Sequence, residues 1–293
     1  IIQQVSTSDV DLGSADSEDI GQLVSIAPED IKEVRVLKDA AETAKWGSKG
    51  ANGVIEIITL SGKRGKTKFD INYKKSFQVE APTIPMLNGD EYQSMQLEMW
   101  HNARGVFDVP SEIANDKDWF NYYNYAQNTD WLGEITRVGQ VDDFGFRFSG
   151  GGDKTTYYSS INYQNNKGTV LNTGNRRFSG RVNLDYRIST KLRLNTQIVY
   201  TNIYKDDNWK RNRRDNIRRN AYTKSPNMAI YEFDEFGSQT DNFFNPVRSY
   251  QGDGVRYYNP VAMANLSDND RANNKFQTNF NLNYRPTDWF RLR

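Results

Sequence analysis

The sequence predicts an all-β membrane protein: the C-terminal part of a plug-like unit, followed by about seven antiparallel strands of a transmembrane β-barrel. Three observations predict it. Residues 36–59 (VLKDAAETAKWGSKGANGVIEIIT) read as a glycine-punctuated helix, loop and strand, and alternating strands follow at once. Several of those strands alternate over about ten residues, close to the roughly 9 to 11 that cross a bilayer at a tilt; soluble strands average roughly five or six. Tight turns and long segments also take turns between strands, as in a barrel with short periplasmic and long external connections.

Composition by itself points elsewhere. Hydrophobic residues make up 37% and the mean hydropathy is −0.82. No apolar run reaches the roughly eighteen residues of a membrane helix, so a transmembrane helix is excluded. A barrel is not, because lipid-facing and lumen-facing residues alternate and dilute the signal. The 13% aromatic share suits interfacial girdles and equally a carbohydrate-binding sandwich. Lys and Arg number 38 against 37 Asp and Glu, which leaves no global field for nucleic acid. The absence of Cys removes disulfides and thiol chemistry.

The first unit, residues 1–65, reads locally. Val34, Val36 and Leu37 form a short apolar strand, and Asp39 caps a helix over residues 40–45 built from good helix formers. Gly47, Gly50 and Gly53 permit positive φ and close backbone approach, and so shape turns. Residues 54–58, an apolar run interrupted by Glu56, are expected to form a largely buried strand.

Residues 66–293 carry the strands. In residues 67–77, Phe69, Ile71, Tyr73 and Phe77 share one face and Asp70, Asn72, Lys74 and Ser76 the other. Phe144, Phe146 and Phe148 alternate with Gly145, Arg147 and Ser149, and Tyr157 to Gln164 continues the pattern. Over residues 176–188, Phe178, Val182, Leu184 and Tyr186 oppose Arg177, Arg181 and Arg187. Leu192 to Tyr200 and Phe276 to Tyr284 follow suit. An Arg at the bilayer midplane costs about 2 to 4 kcal/mol, so the apolar face meets lipid and Arg177, Arg181 and Arg187 point inward.

The turns GGDK (151–154), ISTK (188–191) and RPTD (285–288) join strands pairwise. Starting from a periplasmic plug, all three fall on the periplasmic side. The long segments, about 78–141 and 205–274, are then external and the expected functional surface. Within the first, residues 88–104 read as a helix capped by Asn88 or Asp90, with Tyr92, Met95 and Met99 on one face.

The plug-like residues also carry a resemblance. DIKEVRVLKDA (30–40) and KWGSKGANGVIEIIT (45–59) resemble the end of the plug domain in the SusC/RagA family of TonB-dependent outer-membrane transporters. Asp39, Trp46, Gly47, Gly50, Asn52 and Gly53 form its structural motif, with Trp46 and Lys49 standing where the family has Tyr and Arg. Weaker similarity runs through residues 87–95, 128–135 and 149–168, and makes Trp131 of the NTDW stretch a structural residue. Such transporters close with 22 strands around a plugged lumen. No signal peptide precedes Ile1 and the last strand is open, so these 293 residues are expected to be part of a larger protein.

Chemical motifs give little. GKT at 65–67 ends like a phosphate-binding loop, but Leu60 stands where its first glycine belongs and a strand follows. His101 is the single histidine, which leaves no triad and no His-rich metal site. The acid pairs Asp142–Asp143 and Asp206–Asp207 are weighed for glycoside hydrolysis or calcium and read as solvated. No catalytic, cofactor or metal residue is assigned. The basic stretch 209–220 (WKRNRRDNIRRN) is a solvated loop, or a contact for lipopolysaccharide phosphates or an anionic substrate. Trp119, Tyr122, Tyr123 and Trp209 are the candidate substrate contacts, because sugar and peptide groups stack on flat rings with polar tips.

The expected function is active import. The resemblance implies a barrel paired with a SusD-like surface lipoprotein, the two closing over an oligosaccharide, glycan fragment or peptide, with TonB opening the plug from the periplasm. A secreted or surface-anchored β-rich carbohydrate-binding protein is the alternative, and a glycoside hydrolase a third reading.

Overall fold

Two antiparallel sheets of unequal size divide the early chain from the rest. The computed structural model describes residues 27–50, 53–81, 84–206, 216–246, 250–251, 257–268, 270–287 and 289–292. The small sheet pairs β1 (Ile31–Leu37) with β2 (Val54–Thr59). Between them lie α1 (Ala40–Thr43) and a 3₁₀ stretch, Ala44–Gly50. Asp39 does cap here: its Oδ1 accepts from the Ala41 N–H at 3.0 Å. Gly47 (φ 60°) and Gly53 (φ 98°) occupy the left-handed region, which side-chain-bearing residues rarely adopt. Gly50 passes so close to the Thr43 carbonyl that a Cβ would stand 2.7 Å from it. Asn52 lies outside the described residues.

The expected burial of β2 is corrected. Ile55 is 63% exposed and Val34 and Val36 of β1 are more than half exposed. The small sheet has two strands among the described residues, so apolar content here does not translate into burial.

The large sheet is antiparallel, in the order β11-β10-β7-β6-β5-β4-β3. Its strands are β3 (Gly65–Gln78), β4 (Gly139–Gly151), β5 (Thr155–Lys167), β6 (Gly174–Arg187), β7 (Leu192–Asp206), β10 (Asp270–Thr287) and the short β11 (Phe290–Leu292). The shortest long strand has 13 residues; at roughly 3.3 Å per residue that spans more than a hydrocarbon core of about 30 Å.

Register confirms the faces. Ile71, Phe146, Ile161, Gly180, Tyr200 and Phe276 lie opposite one another in a single row across the sheet. One residue along, Asp70, Arg147, Ser160, Arg181, Val199 and Gln277 form the row on the other face. Phe69 and Ile71 are 68% and 70% exposed. An exposed apolar belt on long, flat-paired strands does not fit the soluble sandwich, which would have to bury it; it fits lipid.

The hydrophobic core lies beyond one end of the sheet. The segments between β3 and β4 and between β7 and β10 fold together into a cap whose buried cluster includes Tyr125, Trp131, Ile135, Ile217, Met228, Phe244 and Val261. The cap holds α2 (Gly89–Arg104), α3 (Ser111–Ala114), α4 (Tyr122–Tyr125), α5 (Trp131–Ile135), α6 (Ile217–Thr223), the hairpin β8 (Tyr231–Phe233) and β9 (Gln239–Phe243), and α7 (Pro260–Leu266). Asn88 caps α2 in a capping box: its Oδ1 accepts from Glu91 N at 2.9 Å while Glu91 Oε2 accepts from Asn88 N at 3.0 Å. The ladder bonds carry the strands a few residues past the last clear alternation, so the external segments begin after Gln78 and Asp206 and end before Gly139 and Asp270.

Candidate functional site

Two regions bring polar groups together: the contact between the small sheet and the inner wall, and the cap. At the first, Asp30, the last residue of a 3₁₀ turn (Pro28–Asp30) that leads into β1, is 3% exposed. Its carboxylate accepts from Tyr158 Oη at 2.7 Å and Ser160 Oγ at 2.8 Å, neighbours on the inner face of β5. Arg181 on β6, 4% exposed, places its guanidinium 5.8 Å from the Tyr158 ring centre and donates to Thr59 Oγ1 at the end of β2. Asn183 donates to the Leu60 carbonyl at 3.1 Å, and Arg147, ion-paired with Asp70 at 3.0 Å, reaches the Glu29 carbonyl at 3.4 Å. Gly62 passes the wall so closely that a Cβ there would collide with the Tyr157 backbone at 2.4 Å. A carboxylate removed from water is tolerable because two hydroxyls and nearby guanidinium charge replace its hydration.

Alternation turned Arg181 inward and put Tyr158 and Ser160 on one face of their strand, but nothing in the sequence marked Asp30 as their partner. A buried carboxylate and its donors are joined only by the register of β5 against the small sheet.

In the cap, the segment around α4 gathers three of the four candidate aromatics. Trp119 packs against the cluster core, its ring 5.2 Å from Tyr125 and 5.9 Å from Phe120. Tyr122 meets Tyr123 edge-on at 5.4 Å. Tyr123 is 39% exposed and lies over Gly237, whose φ of 83° turns the β8–β9 hairpin. Phe120 and Phe236, which the sequence reading did not single out, stand exposed beside them. Trp209 lies outside the described residues, as do residues 209–215 of the basic stretch; Arg218, which is described, pairs with Glu80. That guanidinium holds the Glu80 carboxyl below the usual range.

The two long segments interlock through buried bonds. Trp131 Nε1 donates to the Ser225 carbonyl at 2.9 Å, Thr129 Oγ1 to the Met228 carbonyl at 2.6 Å, and Gln127 N to the Asn227 carbonyl at 3.0 Å. Asn259 is almost fully buried; its Oδ1 accepts from Val261 and Ala262 N–H groups while Nδ2 donates to the carbonyls of Ile230 and Phe244. Lys224, buried, donates to the Tyr257 carbonyl at 2.5 Å, and burial pushes its pKa down to about 7. Burial likewise pushes the Tyr125 phenol up.

Asp207 of the second acid pair lies outside the described residues, and the first pair offers hydrolysis no arrangement. Asp142 and Asp143 are successive on β4 and point to opposite faces, so their carboxylates do not converge on a bond. Among the described residues no group of three or more His, Asp or Glu is placed to hold a metal. His101 sits within α2.

No family model matches the chain. It is 31% identical over 263 residues to the TonB-dependent receptor P3 of Formosa agariphila, covering 88% of this chain and 23% of that protein. It is 28% identical over 279 residues to the TonB-dependent receptor SusC of Bacteroides thetaiotaomicron, covering 90% and 25%. The chain thus spans about a quarter of the length of the curated relatives it matches. Among solved structures, the RagAB peptide importer in its open-open state matches with a TM-score of 0.70 at 21% identity, covering 92% of this chain and 31% of that one. A second structure, the RagAB peptide transporter, gives 0.69 at 22% identity, covering 91% and 32%. Similarity along nearly the whole chain is therefore to SusC- and RagA-type TonB-dependent receptors, which are outer-membrane β-barrel proteins and not enzymes.

Proposed function

We propose that this relative of the SusC/RagA transporters supplies the end of the plug, residues 1–65, and the first strands of the barrel, residues 66–293, of a TonB-dependent importer. Its cargo would be oligosaccharides, glycan fragments or peptides, captured at the cap together with a SusD-like surface lipoprotein. The observation that carries this reading is the contact of Asp30 with Tyr158 and Ser160. It fastens a small β unit to the polar face of a sheet whose other face is an apolar belt, which is the relation of a plug to a barrel wall.

Import then requires two linked events. Cargo held at the cap must favour a plug state that engages TonB in the periplasm, because a ligand shifts an equilibrium only by binding its states differently. Force on the plug must then break the bonds at Asp30, Thr59 and Leu60. Tyr122 and Tyr123 offer stacking rings with polar tips on the cap, and Trp119 holds their segment in place. No covalent step is involved. Lipid and lipopolysaccharide surround the belt.

Mild-detergent extraction of native outer membranes, followed by mass spectrometry of every component of the complex, tests the reading. A polypeptide several times longer than this chain, recovered with a surface lipoprotein, is the expected result. A complete soluble protein of this length would overturn it.

A further inference from the structure

The inner wall between the Asp30 contact and the cap is unevenly charged. Counting outward from the row of Arg147, Ser160 and Arg181, the next inward-facing row carries Lys275, the one after it Lys74 and Arg177, and the third Lys205 and Arg271. Among the described strand residues, Asp143 is the one acid that faces these rows, and it accepts from Gln164 at 3.4 Å. The acids at this end of the sheet, Asp142, Asp206 and Asp270, have the opposite parity and lie on the lipid side. The wall positions between the bases are filled by carboxamides, Asn162, Asn166 and Asn273 among them. Apolar side chains on these rows are few, Ile203 and Val141 being the examples.

The whole chain is almost neutral, at +1. The basic excess is therefore not a property of composition; strand parity places it on the wall, whereas on the lipid side of the same end Lys75, Lys167 and Arg176 are balanced by Asp142, Asp206 and Asp270. A cleft lined by one sign of charge raises the local concentration of the opposite sign. Carboxamides donate to and accept from hydroxyl groups alike. A peptide would need apolar subsites for its side chains, which these rows do not offer.

From this charge sorting we propose that the cargo is an acidic oligosaccharide, one bearing carboxylate or sulfate groups, and that Lys74, Arg177 and Lys275 bind its charges on the way from cap to plug. The proposal rests on the import reading and narrows its substrate class.

The test uses the full-length transporter in its native complex, with an oligogalacturonate, its methyl ester, a neutral glucan oligomer of equal length and an oligoglutamate as probes. Binding is followed by titration calorimetry at low and physiological salt, and uptake in energised cells. The uronate should bind at least about tenfold more tightly than its methyl ester, with the difference shrinking as salt rises. Combining K74Q, R177Q and K275Q should remove that preference, whereas R176Q, on the lipid-facing side of the same strand, should leave it intact. Equal affinity for acid and ester, or tighter binding of the oligoglutamate, would overturn the proposal while uptake of any probe would leave the import reading standing. Failure of every probe to enter energised cells would overturn the import reading itself.

Discussion

Asp30 and Tyr158 meet at 2.7 Å across 128 residues of sequence, a buried carboxylate leading into the small sheet bonded to a phenol on the inner wall of the large one. The pair defines where the small sheet touches the wall. Thr59 and Leu60, bonded to Arg181 and Asn183, add polar contacts to the same attachment.

That attachment predicts a graded loss on mutation. D30A leaves the Tyr158 and Ser160 hydroxyls buried without their acceptor, and each orphaned group costs about 1 to 3 kcal/mol. Y158F removes one donor from Asp30 and should cost less. In the full-length protein, hydrogen exchange over β1 and β2 should speed up in the order wild type, Y158F, D30A, with the barrel strands unchanged. Uniform exchange in all three would show that the contact does not hold the plug.

The two faces of the large sheet should respond oppositely to charge. I161R puts a guanidinium on the belt and should cost about 2 to 4 kcal/mol near the membrane centre. N279R adds the same group on the inner face of β10 and should assemble normally. Heat-modifiable migration of the barrel on gels separates the outcomes; equal assembly of both variants would contradict the assignment of faces.

Among the cap aromatics, burial and exposure divide the roles. W119A opens a cavity beside Tyr125 and should destabilise the cap by about 3 to 5 kcal/mol, seen as faster proteolysis of the external segments. Y123A removes a ring that is 39% exposed and should weaken cargo binding while leaving proteolysis unchanged. A Y123A protein that binds cargo as wild type would remove Tyr123 from the contact surface.

Lys224 makes the cap pH-sensitive in a defined direction. Its folded pKa, about 7, lies below the ordinary lysine value of 10.5 because burial disfavours the charge. Between those values the unfolded cap binds more protons than the folded one, so stability should rise with pH from about 7 to about 10.5, by at most about 1.4 kcal/mol per pH unit. Below pH 7 the charged amine is retained in both states and its burial cost no longer varies. K224M should flatten the slope in a pH series of local hydrogen exchange. A slope unchanged by the substitution would place its source elsewhere.

Much of this architecture is legible without coordinates. Strict alternation separated the two faces of the strands and turned Arg177, Arg181 and Arg187 inward, and a cap at Asn88 or Asp90 announced α2, because each of these signals arises between residues close in the chain. What the tertiary structure alone decided is non-local. The apolar β2 turned out only partly buried, with Ile55 exposed, since burial depends on which element lies against a strand and not on its own composition. The cap acquired a core because residues 127–131 dock on residues 225–228, a pairing that no periodicity encodes. Asp30 found Tyr158, and the bases of the inner wall found one another, only through the register of strands laid side by side. Register is set by the sum of many cross-strand pairs, so a sequence shows which face a side chain takes but not which partner it meets there.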